Sequence, residues 1–234
     1  MSPRALFLHG AGAWGDQWAI WRRLFEAEGW QVDAPDFEPA AGGLAATRLD
    51  DYVAQAVDAV EAAPVDVLVG ASLGGLLAVS AMVRVATVSR PRALVLVNPL
   101  PPSPWAAAVP SVDAFGDVVP WRSQGRFAST QRALPEAGFA EQQQAFRHWR
   151  DESAAVLREA HAGLLLPDAG VPTLVIASDT DDDVPPASSA AYANAIGASL
   201  CRLPGGHVAP VMGASAVRSA QAALAWLAPA LSVP

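Results

Sequence analysis

Ser72 stands at the centre of Gly70-Ala71-Ser72-Leu73-Gly74. The β-branched apolar run Val65 to Val69 leads into this pattern, and an apolar, Ala-rich helical pattern from Leu76 to Val88 follows it. Strand, tight turn and helix together are the setting of a nucleophile elbow. Such a turn forces its central residue into a strained backbone conformation, so the residues two positions away must be nearly free of side chain. Gly70 and Gly74 meet that demand. Ser72 then projects its hydroxyl above the sheet, and the Leu73 N–H at the start of the helix points toward any oxyanion formed there.

A serine hydroxyl is a poor nucleophile at neutral pH and requires an adjacent base. Four histidines are available. His148 and His161 lie in helical patterns beside Arg and Glu, where solvated surface groups are expected. His9 follows an apolar run and begins a Gly-rich turn. His207 sits in Pro204-Gly205-Gly206-His207, directly after the last strand-like run, where a flexible Gly-Gly loop carries an imidazole over to the serine; it is the expected base. That base needs a carboxylate to fix its tautomer. Asp179, Asp181, Asp182 and Asp183 cluster after the fifth strand-like run, and acids so close cannot all be buried unpaired. The loop after the fourth run offers Asn98 and no acid, so the triad acid belongs to the Asp cluster.

These residues need elements to position them. Apolar runs at Ala5–Leu8, Trp30–Ala34, Val65–Val69, Ala93–Val97, Pro172–Ala177 and Ser199–Leu203 read as six strands. Helical spacing recurs over about 16–28, 49–62, 76–88, 188–196 and 214–227. Alternating strands and helices, with several strands continuously apolar, predict an α/β fold with a doubly wound, mostly parallel sheet. Right-handed crossovers put all strand C-termini on one edge, where Ser72, His207 and the Asp cluster meet. Residues 100–167 break the rhythm and are expected to form a helical cap, with residues 1–99 and 168–234 as the core. Trp105, Phe115, Trp121, Phe127, Phe139, Phe146 and Trp149 are candidates for lining a pocket beneath it.

At 234 residues the chain is long enough for one domain with a large core, and 52% hydrophobic against 16% charged residues describes a globular protein. A net charge of -8 speaks against nucleic acid and anionic membranes as partners. The single cysteine, Cys201, excludes an internal disulfide and reads as a core residue. The apolar stretch Leu76–Val88 is too short to span a membrane, and no secretory signal is evident, so a cytoplasmic location is the expectation. Nothing resembles clustered metal ligands or a dinucleotide-binding glycine motif, so neither metal nor organic cofactor is expected.

The elbow around Ser72, the turn His9-Gly10-Ala11-Gly12, a late Asp and a final His resemble the α/β-hydrolase superfamily in residues and in order, over nearly the whole chain outside residues 100–167. The family's setting for the acid, Gly-x-x-Asp-x-x-Val-Pro, aligns through Val184-Pro185 on Asp181, with Ser178 where the family prefers Gly; Asp179 stays as the second choice. The resemblance implies Ala11 N–H as the second oxyanion donor beside Leu73, and a structural role for His9. The family's opening hairpin is absent, as in small bacterial and plant esterase-like members.

The function implied is a serine hydrolase for a carboxylic ester, thioester or lactone of a small, largely apolar substrate, acting as a monomer or homodimer. A C–C bond hydrolase or a hydroxynitrile-lyase-like enzyme can use the same triad. A non-catalytic ligand-binding protein can retain the same fold.

Overall fold

The computed structural model describes residues 2–110 and 116–231; Phe115, among the candidate pocket aromatics, lies outside them. Six strands, β1 (Arg4–Leu8), β2 (Gln31–Asp33), β3 (Val67–Ala71), β4 (Ala93–Val97), β7 (Thr173–Ser178) and β8 (Ser199–Leu203), form one sheet in the order β2-β1-β3-β4-β7-β8. Every pairing in this sheet is parallel. A separate antiparallel ribbon of two short strands, β5 (Val118–Val119) and β6 (Glu152–Ser153), lies within the segment between β4 and β7.

The helices are α1 (Ala19–Ala27), α2 (Leu49–Glu61), α3 (Leu73–Arg84), α4 (Phe127–Ala133), α5 (Phe139–His148), α6 (Ala154–Ala162), α7 (Pro186–Ala195), α8 (Ala209–Met212) and α9 (Ala216–Ala230). The helical stretch expected from Leu76 instead starts at Leu73, immediately after Ser72. Gly74 and Gly75, poor helix formers, form part of its first turn because the tight packing there admits nothing larger.

Side chains alternate across a strand, and this alternation divides the core in two. Leu6, Leu8, Leu68, Leu94, Leu96 and Val175 pack with buried residues of α2, α3 and α7 on one face. Ala5, Phe7, Val67, Val69, Val95 and Ile176 pack with α1 and α9 on the other. Phe7 meets Trp18 and Phe25 there at ring centroid distances of 5.2 Å. Full burial of such a side chain contributes about 1.5–3 kcal/mol, so continuous apolar strands hold the helices on both faces.

Beyond β4, Val156 and Ala160 of α6 enter the same core as α2 and α3, so the end of the 100–167 segment is built into the body. The Ser153 hydroxyl accepts a hydrogen bond from Val156 N–H at 3.2 Å and caps α6. No helix among the described residues is long and apolar enough to cross a membrane.

Candidate active site

The Ser72 backbone adopts φ 53°, ψ -121° between β3 and α3. A non-glycine residue held there stores on the order of 1–3 kcal/mol, and the surroundings must over-determine it. They do: Ser72 N–H donates to the Val97 carbonyl at 3.0 Å, and the Ser72 carbonyl accepts from Gly75 at 2.9 Å and Leu100 at 3.0 Å. A Cβ on Gly70 would lie 2.2 Å from the Gly74 carbonyl oxygen, and one on Gly74 would lie 2.3 Å from that of Leu8. Both glycines are required by close backbone approach, as the elbow pattern implies.

The turn after β1 passes directly beside the serine, since a Cβ on Gly10 would lie 3.2 Å from the Ser72 Cβ. His9 is buried and has both ring nitrogens engaged: Nε2 accepts from Phe37 N–H at 3.1 Å, and Nδ1 lies 2.7 Å from the Gly10 carbonyl oxygen. The acceptor role of Nε2 puts the proton on Nδ1 and keeps the ring neutral. Burial pushes its pKa down to about 4, against smaller opposing effects of the Gly10 carbonyl and Asp36. His9 therefore shapes the turn.

His207 and Asp181 meet across the loops leaving β8 and β7. The Nδ1 of His207 lies 2.8 Å from Oδ2 of Asp181. Asp181 is 4% exposed, and its other oxygen accepts N–H groups from Asp183 and Val184 at 2.9 Å each. This arrangement holds the proton on Nδ1 and leaves Nε2 able to accept one. Burial opposes charge on His207, but the hydrogen bond and charge of Asp181, with the charge of Asp183, outweigh it and raise the imidazole pKa above its ordinary value. Asp179, two residues earlier, pairs instead with Arg202 at 2.8 Å in a half-exposed position.

Asp181, Asp183 and His207 bring their ligand-type atoms within 4.8 Å of one another, the one grouping of that kind among the described residues. Two of these atoms already bind each other, which makes the grouping an acid–base pair with a flanking carboxylate.

The loop carrying His207 is anchored, contrary to the flexibility its Gly-Gly pair suggests. Asn98, at the end of β4, donates from Nδ2 to the His207 carbonyl at 2.7 Å and to Ser178 Oγ at 2.9 Å, while its Oδ1 accepts from Ser178 N–H at 2.7 Å. Its backbone sits at φ 42°, a left-handed conformation that Asn tolerates better than most residues. In the sequence Asn98 stands out only as a loop residue that offers no acid. An Asn following a strand at the same sheet edge was the available signal.

Ser72, Leu73, Ala11 and His207 line one cavity of about 610 Å³. Among the described residues no hydrogen bond joins the Ser72 hydroxyl to the His207 ring. Of the candidate aromatics Trp121, Phe146 and Trp149 line the cavity, together with Leu100, Val109 and Leu157. Among the other described aromatics, Trp105 meets Tyr192 at 5.2 Å, and Phe127 sits against Phe139 and Phe146 at 5.6 Å each. His148 is exposed and stacks on Trp14 at 5.2 Å. His161, by contrast, is half-buried and lines the cavity, as do Arg126, Asp182 and Asp183. The wall is thus more polar than the run of aromatics implied, because Arg126 and His161 of that segment and Asp182 and Asp183 of the loop after β7 share the inward surface.

Comparison with known proteins agrees with this architecture. A model of the alpha/beta hydrolase family matches residues 5–222. No curated protein matches the sequence. The fold is similar to that of polyneuridine aldehyde esterase, with a TM-score of 0.76 and 15% identity over 97% of this chain and 100% of that one. An extracellular alpha/beta-hydrolase from a Paenibacillus species, described as sharing structural and functional homology with tobacco salicylic acid binding protein 2, superposes with a TM-score of 0.76 at 16% identity, covering 95% of this chain and 98% of its own. A thermophilic esterase from Thermogutta terrifontis gives 0.69 at 20% identity, over 98% and 91% of the two chains. The match over most of the chain, on a parallel sheet carrying the elbow at the end of β3, shows that this protein belongs to the α/β-hydrolase family.

Proposed function

We propose that the protein is a serine hydrolase that cleaves a carboxylic ester, thioester or lactone of a small substrate. The observation that carries this reading is the 2.8 Å contact of His207 with buried Asp181 in the wall of the same cavity that holds Ser72. The Ser72 Oγ attacks the carbonyl carbon while its proton passes to His207 Nε2. The N–H groups of Leu73 and Ala11 stabilise the oxyanion, the role in which preorganised donors are most effective. Collapse breaks the bond to the leaving group, which takes the proton from His207. Water then attacks the acyl-enzyme with the same histidine as base, which returns the proton to Ser72 and releases the acid. Asp181 orients His207 and stabilises its charged form. No cofactor has a part in these steps.

Residues 100–167 act in this reading as a cap that covers the reacting centre and selects the substrate. Trp121, Phe146 and Trp149 favour apolar acyl or alkoxy groups of modest size. The two neighbours described as esterases agree with ester chemistry, and their low identity leaves the substrate to experiment.

The test is intact-mass labelling with a fluorophosphonate beside a p-nitrophenyl ester series. One label per chain and ester turnover, both lost in Ser72→Ala, are expected. A folded wild type that neither labels nor turns over any ester would replace this reading with a binding role.

A further inference from the structure

Glu152 is a buried carboxylate that the mechanism above does not use. It lies in β6, far along the chain from the elbow, yet its Oε2 accepts the Gly12 N–H at 3.0 Å. Its Oε1 accepts the Tyr52 hydroxyl at 3.0 Å and the Ser153 N–H at 2.8 Å. Three donors compensate a buried charge that would otherwise be strongly unfavourable. An apolar residue fills such a site at lower cost, so the carboxylate calls for a reason beyond packing.

The reason is at Gly12. Its carbonyl accepts the Arg150 N–H at 2.7 Å, so Gly12 is held on both sides by the segment 150–152. Its φ of 63° is left-handed, and a Cβ there would lie 2.2 Å from the Trp121 ring. On the other side of Ala11, the Gly10 carbonyl takes the His9 ring at 2.7 Å and the Ala13 N–H at 3.3 Å. Ala11, which lines the cavity beside Ser72, is therefore suspended between two anchored residues.

We infer that Glu152 is a positioning residue for the oxyanion hole: its bond to Gly12 fixes the orientation of the peptide units of the turn, and with them the Ala11 N–H. This inference rests on the serine hydrolase reading. The hold is charge-assisted, and so stiffer than a neutral hydrogen bond. It also ties the donor to the segment carrying Trp121, so that segment and the oxyanion hole share one support.

Glu152→Gln is the discriminating variant. A glutamine satisfies both donors at the Oε1 position only by placing its oxygen there, which turns its NH2 against the Gly12 N–H. The substitution thereby breaks the Gly12 anchor and spares the rest. Displacing one oxyanion donor is expected to lower kcat about 10- to 100-fold, less than the 10²–10³ typical of deleting one. KM for the p-nitrophenyl ester stays within about twofold, and a trifluoromethyl ketone, which mimics the tetrahedral adduct, weakens by the same factor as kcat/KM. Glu159→Gln is the control. Glu159 also accepts a backbone N–H, that of Leu49 at 2.9 Å, and among the described residues no hydrogen bond or ion pair joins it to the turn, so kcat is unchanged. Glu152→Asp, which withdraws the charge by one methylene, repeats the loss and serves if the glutamine variant does not fold.

Glycine-selective 15N NMR reads the anchor without activity: the Gly12 amide proton moves upfield in Glu152→Gln, while the Gly70 and Gly74 signals stay. A moved Gly12 signal with unchanged kcat overturns the inference and leaves the hydrolase reading intact. Equal losses in Glu152→Gln and Glu159→Gln overturn it too, because the effect is then general destabilisation. Absence of Ser72-dependent turnover in the wild type removes the hydrolase reading, and this inference with it, before any Glu152 variant is made.

Discussion

The Asp181 carboxylate lies 2.8 Å from His207 Nδ1 and is almost fully buried, whereas Asp179 is bound to Arg202 by two contacts of 2.8 and 2.9 Å. Two acids separated by one residue thus occupy different environments, because the chain turns between them and sends one inward. With Asp181 as the triad acid, Asp181→Asn lowers kcat by roughly 10³- to 10⁴-fold, since an amide donating to Nδ1 stabilises the wrong tautomer. Asp179→Asn leaves kcat within about twofold, an exposed ion pair contributing little. Steady-state kinetics of both variants decides the assignment; the reverse pattern would transfer the role to Asp179.

The pH profile follows from the raised pKa of His207. The base must be neutral to take the serine proton, so kcat/KM falls as pH drops through a midpoint above the ordinary histidine value of about 6.5. Asp183 contributes to that rise as a nearby negative charge. Asp183→Asn is expected to move the acid limb to lower pH with little change in the plateau. An unmoved limb would mean that solvent screens Asp183 from the ring.

Asn98 closes the loop that carries His207. Asn98→Ala removes three hydrogen bonds and places an alanine at φ 42°. A loss of about 2–4 kcal/mol in unfolding free energy is expected, on the basis of about 1 kcal/mol per bond and the backbone strain. In the protein that still folds, kcat falls while fluorophosphonate labelling slows in parallel, because the loop carrying the proposed base has lost its anchor. Urea denaturation and labelling rates measure the two effects separately.

His9 contributes a stability term of defined sign. Its pKa is about 4 in the folded chain and about 6.5 when unfolded. Between these values the unfolded chain binds a proton that the native chain does not. The stabilisation is complete above pH 6.5 and is lost as pH falls toward 4, in total roughly 3 kcal/mol. His9→Asn lacks this dependence, so its stability deficit relative to wild type narrows between pH 7 and pH 4.5 in urea unfolding. A constant deficit would contradict a neutral, doubly bonded ring.

Much of the architecture is legible in the residues. The four inner strands announce themselves because a parallel sheet covered on both faces needs continuous apolar runs, and Ala93–Val97 coincides with the observed bounds; the edge strand Ser199–Leu203 coincides too, although it is mixed in polarity and largely exposed. Helix α3 is less clear, since Gly74 and Gly75 mask its first turn while packing demands them. The elbow at Ser72 and the choice of His207 as candidate base follow from local chemistry, in which a strained turn requires its glycines and a base requires a loop at the sheet edge; Asp181 stands out from its neighbouring acids only through the resemblance to the family.

Other features have no local signature, because they join residues remote in sequence. The Asp cluster contains several equivalent acids until the fold buries Asp181 and leaves Asp179 to Arg202. The link from Asn98 to the His207 loop bridges 109 positions and that from Glu152 to Gly12 bridges 140. Trp121 and Phe139 look alike as aromatic residues of one segment, yet one lines the cavity and the other is 63% exposed. Hydrophobic periodicity specifies which face of an element is buried. Which distant partner meets that face is decided by how the layers pack, and hydrogen-bond partners of buried polar groups are selected only at that stage.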